Sequence, residues 1–321
     1  MTLPTSNNQV KRMITGISLP GQSQRIQGIL IVILATIFWS SSGIFISLVV
    51  RNWDITAVSL AFWRDLSTFS TLLIGTAVLR PALLRVRRKD LPWLLAMGAI
   101  SIGFFHVLWN TSVLLLGASV STVIQCNAPI FVTLMAWIIF KEALTTRKIL
   151  AVALAVVGTV LISGILRMNT IQVSKLGLIA SLASAIFYGC FSLFGKKLTG
   201  EYSSWTILLY IFGFASLTLL PFQILNPSPF PYQFPALIYF IGLILISTIC
   251  GFALYTTALG HLQASVASIT ATSEIVFVAI LAYFILGEHL DLWQILGAVL
   301  VIIGVILVSL PNGNHKQKYS E

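Results

Sequence analysis

The sequence predicts an all-α integral membrane protein with ten transmembrane helices in two inverted five-helix repeats. Three observations lead to this fold class: the composition, the number of long apolar stretches and an internal repeat. Apolar residues make up 57% of the 321 residues and charged residues only 9%, whereas a soluble protein carries roughly 25% charged residues. So few charges cannot cover a surface exposed to water. We therefore expect lipid to be the solvent of this chain.

The ten helices are predicted from length, because a membrane-spanning helix needs roughly 20 mostly apolar residues. The first stretch is too long for the apolar region of a signal peptide, so we expect it in the mature protein. Only the N-terminal tail and the loops 80–90 and 226–235 have room for irregular chain, and none of them could hold a soluble catalytic domain. The predicted helices are residues 26–50, 55–79, 91–113, 118–140, 149–166, 176–198, 205–225, 235–259, 264–286 and 292–310.

The distribution of basic residues predicts the orientation. With a cytoplasmic N-terminus, the inner loops and tails hold fifteen Lys and Arg and the outer loops hold only Arg51, Arg167 and Lys175. Basic residues collect in cytoplasmic loops, so both termini are predicted to be cytoplasmic and the chain to be a multi-pass protein of the cytoplasmic (inner) membrane. This bias accounts for the net charge of +10, and no nucleic-acid partner is expected.

An internal repeat relates the two halves at a constant offset of 146 (288 minus 142). Ala-Ser-Val from Ala118 recurs from Ala264, and Glu142 recurs as Glu288. Each unit holds five helices, and this odd number makes the second unit enter the membrane from the opposite side. Secondary transporters use such inverted repeats to place a substrate site at the bilayer midplane. The predicted units are residues 26–168 and 175–310, between cytoplasmic tails 1–25 and 311–321.

Several short motifs follow one another in a characteristic order. They are Phe38 with Trp39, Arg64, the N-A-P-I-F run from Asn127, Glu142, the S-E-I-V-F-V-A-I-L-A-Y-F-I-L-G-E run from Ser273 to Glu288, and the glycines Gly158 and Gly304. With them the sequence resembles the drug/metabolite transporter superfamily, specifically its ten-span members with two EamA-type domains. The resemblance implies export of amino acids or related compounds. Two departures are Lys141, where the family usually has Gly, and Ile275, where it commonly has Pro. The second predicts a straighter ninth helix.

Four ionisable residues inside the predicted spans are candidates for function, because such groups are costly in a membrane. They are Arg64, Asp65, His106 and Glu274. Arg64 could attract a substrate carboxylate or phosphate, or it could join two helices by an ion pair or a carbonyl contact. Glu274 could carry a coupling proton, or it could be a protonated or Arg-paired helix contact. Asp65 projects about 100° away from Arg64 around the helix, so the two do not form a simple pair.

Aromatic and polar side chains at related positions predict a central cavity. His106, Trp109 and Asn110 share one helix face. Under the repeat offset they correspond to Phe252, Tyr255 and Thr256 of the eighth helix, and the two matched faces are expected to line the cavity. Each of these residues also has a structural alternative to lining a cavity. Trp109 could anchor the helix at the membrane interface, His106 could be a buried structural residue, and the amides and hydroxyls could form interhelical hydrogen bonds. The predicted substrate-cavity residues are Trp39, Arg64, His106, Trp109, Asn110, Gln125, Asn127, Tyr188, Tyr255, Thr270, Ser273 and Glu274.

Two further roles are assigned from single residues. Pro129 removes a backbone hydrogen bond from the fourth helix and is predicted to act as a hinge. Glu142 and Glu288 lie at opposite membrane faces, and each is expected to cap the helix that follows it.

These features favour a secondary transporter that moves a small organic metabolite by alternating access, with efflux of an amino acid or a related compound as the expected activity. The sequence has no nucleotide-binding, metal-binding or hydrolase motif, so no enzyme activity, cofactor or metal is expected. The alternatives are an intramembrane enzyme that uses His106 and Glu274, and a channel or assembly partner. Protons are a candidate coupling ion, and monomer and homodimer both stay open.

Overall fold

The computed structural model describes residues 22–162, 174–286 and 292–310. The predictions for the two tails, for the loop with Arg167 and for Glu288 concern residues outside these ranges. Only residues 22–25 of the predicted N-terminal tail are described. Within the described residues the chain forms ten successive helical segments, α1 to α10. They are α1a (Gln22–Trp39) and α1b (Ser42–Asn52), α2 (Ala57–Leu79), α3 (Leu91–Gly98, Ala99–Phe104 and Phe105–Leu116), α4a (Ala118–Gln125) and α4b (Ala128–Phe140), α5 (Thr146–Ile162), α6 (Lys175–Leu198), α7 (Ser204–Leu225), α8 (Ala236–Gly242, Leu243–Cys250 and Gly251–His261), α9a (Ala264–Ala271) and α9b (Glu274–Leu286), and α10 (Leu292–Ser309).

Length and composition make these helices suited to a bilayer. In the described part of the chain, seven helical stretches are long and apolar enough to cross a membrane, and a shorter apolar helix covers Ile295–Ser309. Large apolar side chains such as Leu30 and Ile179 face outwards, whereas Thr68, Ser101 and Ser184 are buried. Because no water in the hydrocarbon core can satisfy polar groups, this distribution suits a protein solvated by lipid.

The helices of the two units pack in the same pattern, so that each helix of the first unit has a counterpart five helices later in the chain. Helix α1 contacts α8 and α9, and its counterpart α6 contacts α3 and α4. Helix α2 packs on α7, and α5 packs on α10. The absence of a side chain on Gly158 lets α5 approach the backbone of α10 closely at Gly297. This arrangement supports the predicted fold of two related units.

Irregular helical turns occur near the middle of five segments. Helices α3 and α8 contain π-helical turns at Ala99–Phe104 and Leu243–Cys250, which are nearly equivalent positions in the repeat. Helices α1, α4 and α9 are broken, at residues 40–41, 126–127 and 272–273. Turns of this kind are frequent at functional sites.

The ninth helix is broken although it lacks the proline, so the prediction of a straighter α9 is wrong. The hydroxyl of Thr272 donates to the carbonyl of Ile269 at 2.7 Å, and the hydroxyl of Ser273 is 3.0 Å from that of Thr36 on α1a. Hydroxyls that bond the backbone or a neighbouring helix compete with regular helical hydrogen bonding. Two such residues in succession interrupt the helix where a proline would otherwise do so.

One end of the bundle carries most of the described charges, and we call it the basic face; it includes Arg87, Lys148 and Lys196. There Arg87 contacts Asp90 at 2.8 Å and Glu201 at 2.6 Å. Nζ of Lys196 donates to the carbonyl of Leu259 at 2.9 Å. These contacts connect the ends of helices from both units.

Candidate functional site

A narrow central cavity lies where the broken and π-helical segments meet. The space inside it that no atom occupies, counted together with adjoining solvent, is about 320 Å³. Helices of both units contribute to its wall, as expected of a site between inverted repeats. The lining residues are Trp39, Ser42, Arg64, Phe105, Trp109, Gln125, Tyr188, Phe252 and Glu274.

The helix irregularities place these side chains at the cavity. Trp39 is the last residue of α1a, Gln125 is the last of α4a, and Glu274 is the first of α9b. Phe105 and Phe252 follow the two π-helical turns closely. A regular helix would turn its side chains by about 100° per residue throughout. The breaks instead direct the ends of several helices towards one point.

Arg64 supplies a fixed cation to the cavity wall. It is 2% exposed, and its Nε donates to Oγ1 of Thr248 at 2.8 Å. Thr248 lies in the π-helical turn of α8 and donates in turn to the carbonyl of Leu243 at 2.7 Å. Nη1 of Arg64 is buried and has no hydrogen-bond partner among the described residues. The guanidinium is therefore oriented on one side and retains a donor for an acceptor in the cavity.

Glu274 supplies a carboxyl group to the same cavity. It is 8% exposed, and among the described residues no ion pair joins it to Arg64. The hydrogen bond between its neighbour Ser273 and Thr36 attaches the start of α9b to α1a. The cavity thus presents a cation and an acidic side chain that are not paired with each other.

Aromatic rings form much of the remaining wall. The ring of Trp39 lies 5.7 Å from Tyr188, 5.1 Å from Phe252 and 4.9 Å from Tyr255, measured between centroids. Gly251 permits this position, because a Cβ there would clash with the Trp39 ring. The hydroxyl of Tyr255 is 2.8 Å from that of Ser192. Edge-to-face and tilted contacts of this kind hold aromatic rings in defined orientations.

His106 and Asp65 lie outside the cavity lining. Nδ1 of His106 is 2.5 Å from Oδ1 of Asp65, and both side chains are fully buried. The His106 ring stacks on Phe212 at 6.1 Å and meets the ring of Phe252 at a steep angle. Because Phe252 lines the cavity, the Asp65–His106 pair is packed behind its wall.

Several other predicted site residues also bond within the protein rather than line the cavity. Nδ2 of Asn110 donates to the carbonyl of Ala57 at 3.0 Å, and Nδ2 of Asn127 donates to that of Ile124 at 2.9 Å. The Thr270 hydroxyl donates to the carbonyl of Val266 at 2.8 Å. Of the twelve predicted residues, the structure brings six together at the cavity: Trp39, Arg64, Trp109, Gln125, Tyr188 and Glu274.

A smaller pocket, about 220 Å³ when adjoining solvent is included, lies beside the cavity and contains Pro129 in its wall. Helix α4 is broken two residues before Pro129, which occupies the first turn of α4b. The pocket also includes Cys126, Ser268 and Thr272, so it lies at the breaks of α4 and α9.

Sequence reasoning did not select Ser42 or Phe105 as cavity residues, whereas the repeat offset related Phe252 to His106 and placed it on the predicted aromatic face. Phe105 is apolar, and in a chain with 57% apolar residues an additional phenylalanine gives no signal. Within the described residues no group of three or more His, Cys, Asp or Glu could hold a metal ion.

Comparison with known proteins decides the family. The model of the EamA-like transporter family matches residues 26–164 and 175–310. The chain belongs to the EamA-like transporter family. It is a membrane transporter rather than an enzyme, and the resemblance seen in the sequence is confirmed.

Relatives and a solved structure agree with this assignment. An "uncharacterized inner membrane transporter YicL" of Salmonella typhimurium is 25% identical over 295 residues, covering 88% of this chain and 95% of the relative. A "probable terminal-alkyne amino-acid exporter" of Streptantibioticus cattleyicolor is 25% identical over 285 residues, covering 86% and 91%. A protein crystal structure superposes with a TM-score of 0.69 at 15% identity, covering 88% of this chain and 96% of that one. The last match supports the fold alone.

Proposed function

We propose that this EamA-family transporter exports an amino acid, or a closely related zwitterion, across the cytoplasmic membrane by alternating access. The observation that carries the proposal is that Arg64 and Glu274 face one cavity without pairing with each other. An amino acid carries the two complementary charges on adjacent groups. The names of relatives, including the amino-acid exporter described above, support the same substrate class.

Each end of such a substrate has a matching group in the cavity. A substrate carboxylate can accept hydrogen bonds from the Arg64 guanidinium, whose Nη1 is buried without a partner. A substrate ammonium can donate to Glu274. Charged hydrogen bonds are roughly twice as strong as neutral ones, and the low dielectric of the site strengthens them further. An apolar side chain would then contact Trp39, Tyr188 and Phe252.

Alternating access follows from the architecture. The cavity lies between two inverted units, and the breaks in α4 and α9 adjoin it. In other transporters with inverted repeats, one unit rocks against the other around a fixed site. We assign the basic face to the cytoplasm on the basis of the positive-inside rule, so efflux means movement from the basic face to the opposite face.

Counterflow in proteoliposomes tests the proposal. Vesicles loaded with unlabelled amino acid should accumulate the labelled compound with saturable kinetics. The methyl ester of the same amino acid lacks the carboxylate charge, and its N-acetyl derivative lacks the ammonium; both should compete poorly. Non-saturable flux without counterflow would instead indicate a channel. Equal competition by the two derivatives would contradict recognition of a zwitterion.

Proton coupling through Glu274 is a second part of the proposal. A carboxyl group that lines the substrate cavity can bind either a substrate ammonium or a proton, so it can link the two. If it does, a Glu274→Gln variant should still exchange substrate but lose the dependence of net transport on a pH gradient. Full retention of that dependence would exclude Glu274 as the coupling group.

A further inference from the structure

Glu142 makes a cluster of contacts at the basic face that differs from its predicted role. Its Oε1 accepts a hydrogen bond from the amide of Ala264 at 3.0 Å, and its Oε2 accepts from Nζ of Lys148 at 3.0 Å. The hydroxyl of Ser265 also donates to Oε2. The prediction that Glu142 caps the helix that follows it is wrong, because the capped helix is α9a of the other unit. We call Glu142, Lys148, Ala264 and Ser265 the Glu142 cluster.

The backbone conformation of Lys141 positions Glu142 for these contacts. Helix α4b ends at Phe140, and Lys141 adopts a left-handed conformation with φ of 55°. The amide of Glu142 then donates to the carbonyl of Ala136 at 3.2 Å. Glycine favours such a conformation at a helix end, so the glycine usual in the family at this position has a clear structural reason. Lys141 here adopts the same turn.

The cluster is buried and stabilised by charge. Glu142 and Lys148 are 8% and 6% exposed. Ala264 begins α9a, so its amide has no acceptor within that helix. A carboxylate at a helix N-terminus is favoured by the helix dipole. Removing one partner of a buried ion pair is strongly unfavourable, which makes these contacts a substantial constraint between the two units.

The cluster also connects the two half-helices that lie between the cavity and the basic face. Helices α4b and α9a pack against each other. Helix α4b begins three residues after Gln125, and α9a ends three residues before Glu274, so both meet the cavity at their other ends. The smaller pocket, with Cys126 and Ser268, lies between them. Both half-helices therefore lie between the cavity and the basic face.

We infer that the Glu142 cluster holds the transporter closed at the basic face, so that Glu142 is a positioning residue that sets the balance between the two access states. This inference rests on the proposed alternating access. In this structure the cluster is formed. Breaking it shifts the population towards the state that is open at the basic face, because it removes a contact made only when α4b and α9a are together.

The test uses Cys126, a buried native cysteine in the smaller pocket, in a Cys190→Ser/Cys250→Ser background. A charged, membrane-impermeant thiol reagent is applied separately from each side of the membrane. With Glu142→Gln, labelling of Cys126 from the side of the basic face should rise about tenfold, as expected for a coupling of ordinary size. Labelling from the opposite side should fall. Lys148→Met should act in the same direction, and the double variant should add little to either single change.

Glu201→Gln is the matched control. Glu201 is also a carboxylate of the basic face paired with a basic residue, Arg87, but that pair is exposed and involves neither α4b nor α9a. It should change labelling less than twofold, since exposed pairs contribute little. Equal increases from both sides in Glu142→Gln would indicate a loosened fold and overturn the inference, as would unchanged labelling in both Glu142→Gln and Lys148→Met.

The same samples separate this inference from the proposed function. Substrate-induced thermal stabilisation should persist in Glu142→Gln, because the cavity residues are unchanged. If no amino acid stabilises even the wild-type protein, the proposed substrate class fails, while the side-dependent labelling still tests the Glu142 cluster.

Discussion

Four ionisable residues occupy the middle of the bundle, and they fall into two groups with different surroundings. Arg64 and Glu274 both line the central cavity and are not paired with each other. Asp65 and His106 are paired at 2.5 Å and fully buried behind the cavity wall. Arg64 and Asp65 are consecutive in the sequence, so a rotation of about 100° around one helix separates a cavity-lining group from a packed one.

The difference indicates two kinds of role. A buried charge whose partner is already present in the protein contributes to helix packing, and its loss leaves that partner uncompensated. A buried charge that faces a cavity and retains an unpartnered donor is available to a ligand. Substitutions of Asp65 and His106 should therefore affect stability, and those of Arg64 and Glu274 should affect transport.

The largest expected effect is on stability, from Asp65→Ala. Loss of the carboxyl group leaves Nδ1 of His106 buried without a partner and should lower the free energy of unfolding by about 3 kcal/mol. Denaturant or thermal unfolding in detergent measures the change, and transport per folded molecule should stay within about twofold. His106→Ala should lower the free energy of unfolding by a similar amount. The double variant should lower it by less than the sum of the two single changes. Selective loss of transport in a stable Asp65→Ala protein would instead place this pair in the transport site.

Arg64→Gln comes next, with the opposite pattern. Loss of the charged donor should weaken substrate exchange about 100-fold, or roughly 2.7 kcal/mol. Counterflow kinetics and the substrate-induced shift in Tm measure it. Arg64→Lys is the conservative variant: it retains the charge but not the planar guanidinium that bonds Thr248, so an intermediate loss is expected. Normal exchange by Arg64→Gln would show that the cavity cation is not a substrate contact.

Glu274→Gln should weaken binding of the zwitterion about tenfold, since an amide still accepts a hydrogen bond but carries no charge. The sharper readout is selectivity. The wild-type protein should prefer the amino acid over its N-acetyl derivative, and Glu274→Gln should lose most of this preference while keeping the preference over the methyl ester. A loss of both preferences would argue that the cavity as a whole had changed.

The smallest effect is expected from Tyr255→Phe, which tests where the cavity wall ends. Tyr255 contacts the Trp39 ring, but its hydroxyl bonds Ser192. Its removal should lower the free energy of unfolding by about 1 kcal/mol and leave the KM for exchange unchanged. A raised KM would mean that Tyr255 belongs with the cavity residues rather than with the packed ones behind them.

The sequence predicts a good part of this organisation. Ten long apolar stretches, the offset of 146 between Glu142 and Glu288, and the rarity of charge in a span were sufficient to identify the helices, the repeat, and both Arg64 and Glu274 as residues of interest. These features can be recognised in the sequence because a bilayer imposes length and apolarity on each helix separately. Neither condition requires knowledge of a neighbouring helix.

Only the tertiary structure decided which side chains meet. In the structure His106 contacts Asp65, and Asn110 donates to the carbonyl of Ala57. Helix α9 is broken without a proline, and Glu142 contacts the start of α9a. The physical reason is that lipid and protein interior are both apolar, so hydrophobic periodicity does not reveal which face of a membrane helix is buried. The rotation of each helix and the position of each break depend on contacts between residues far apart in the chain, which the sequence of one helix does not contain.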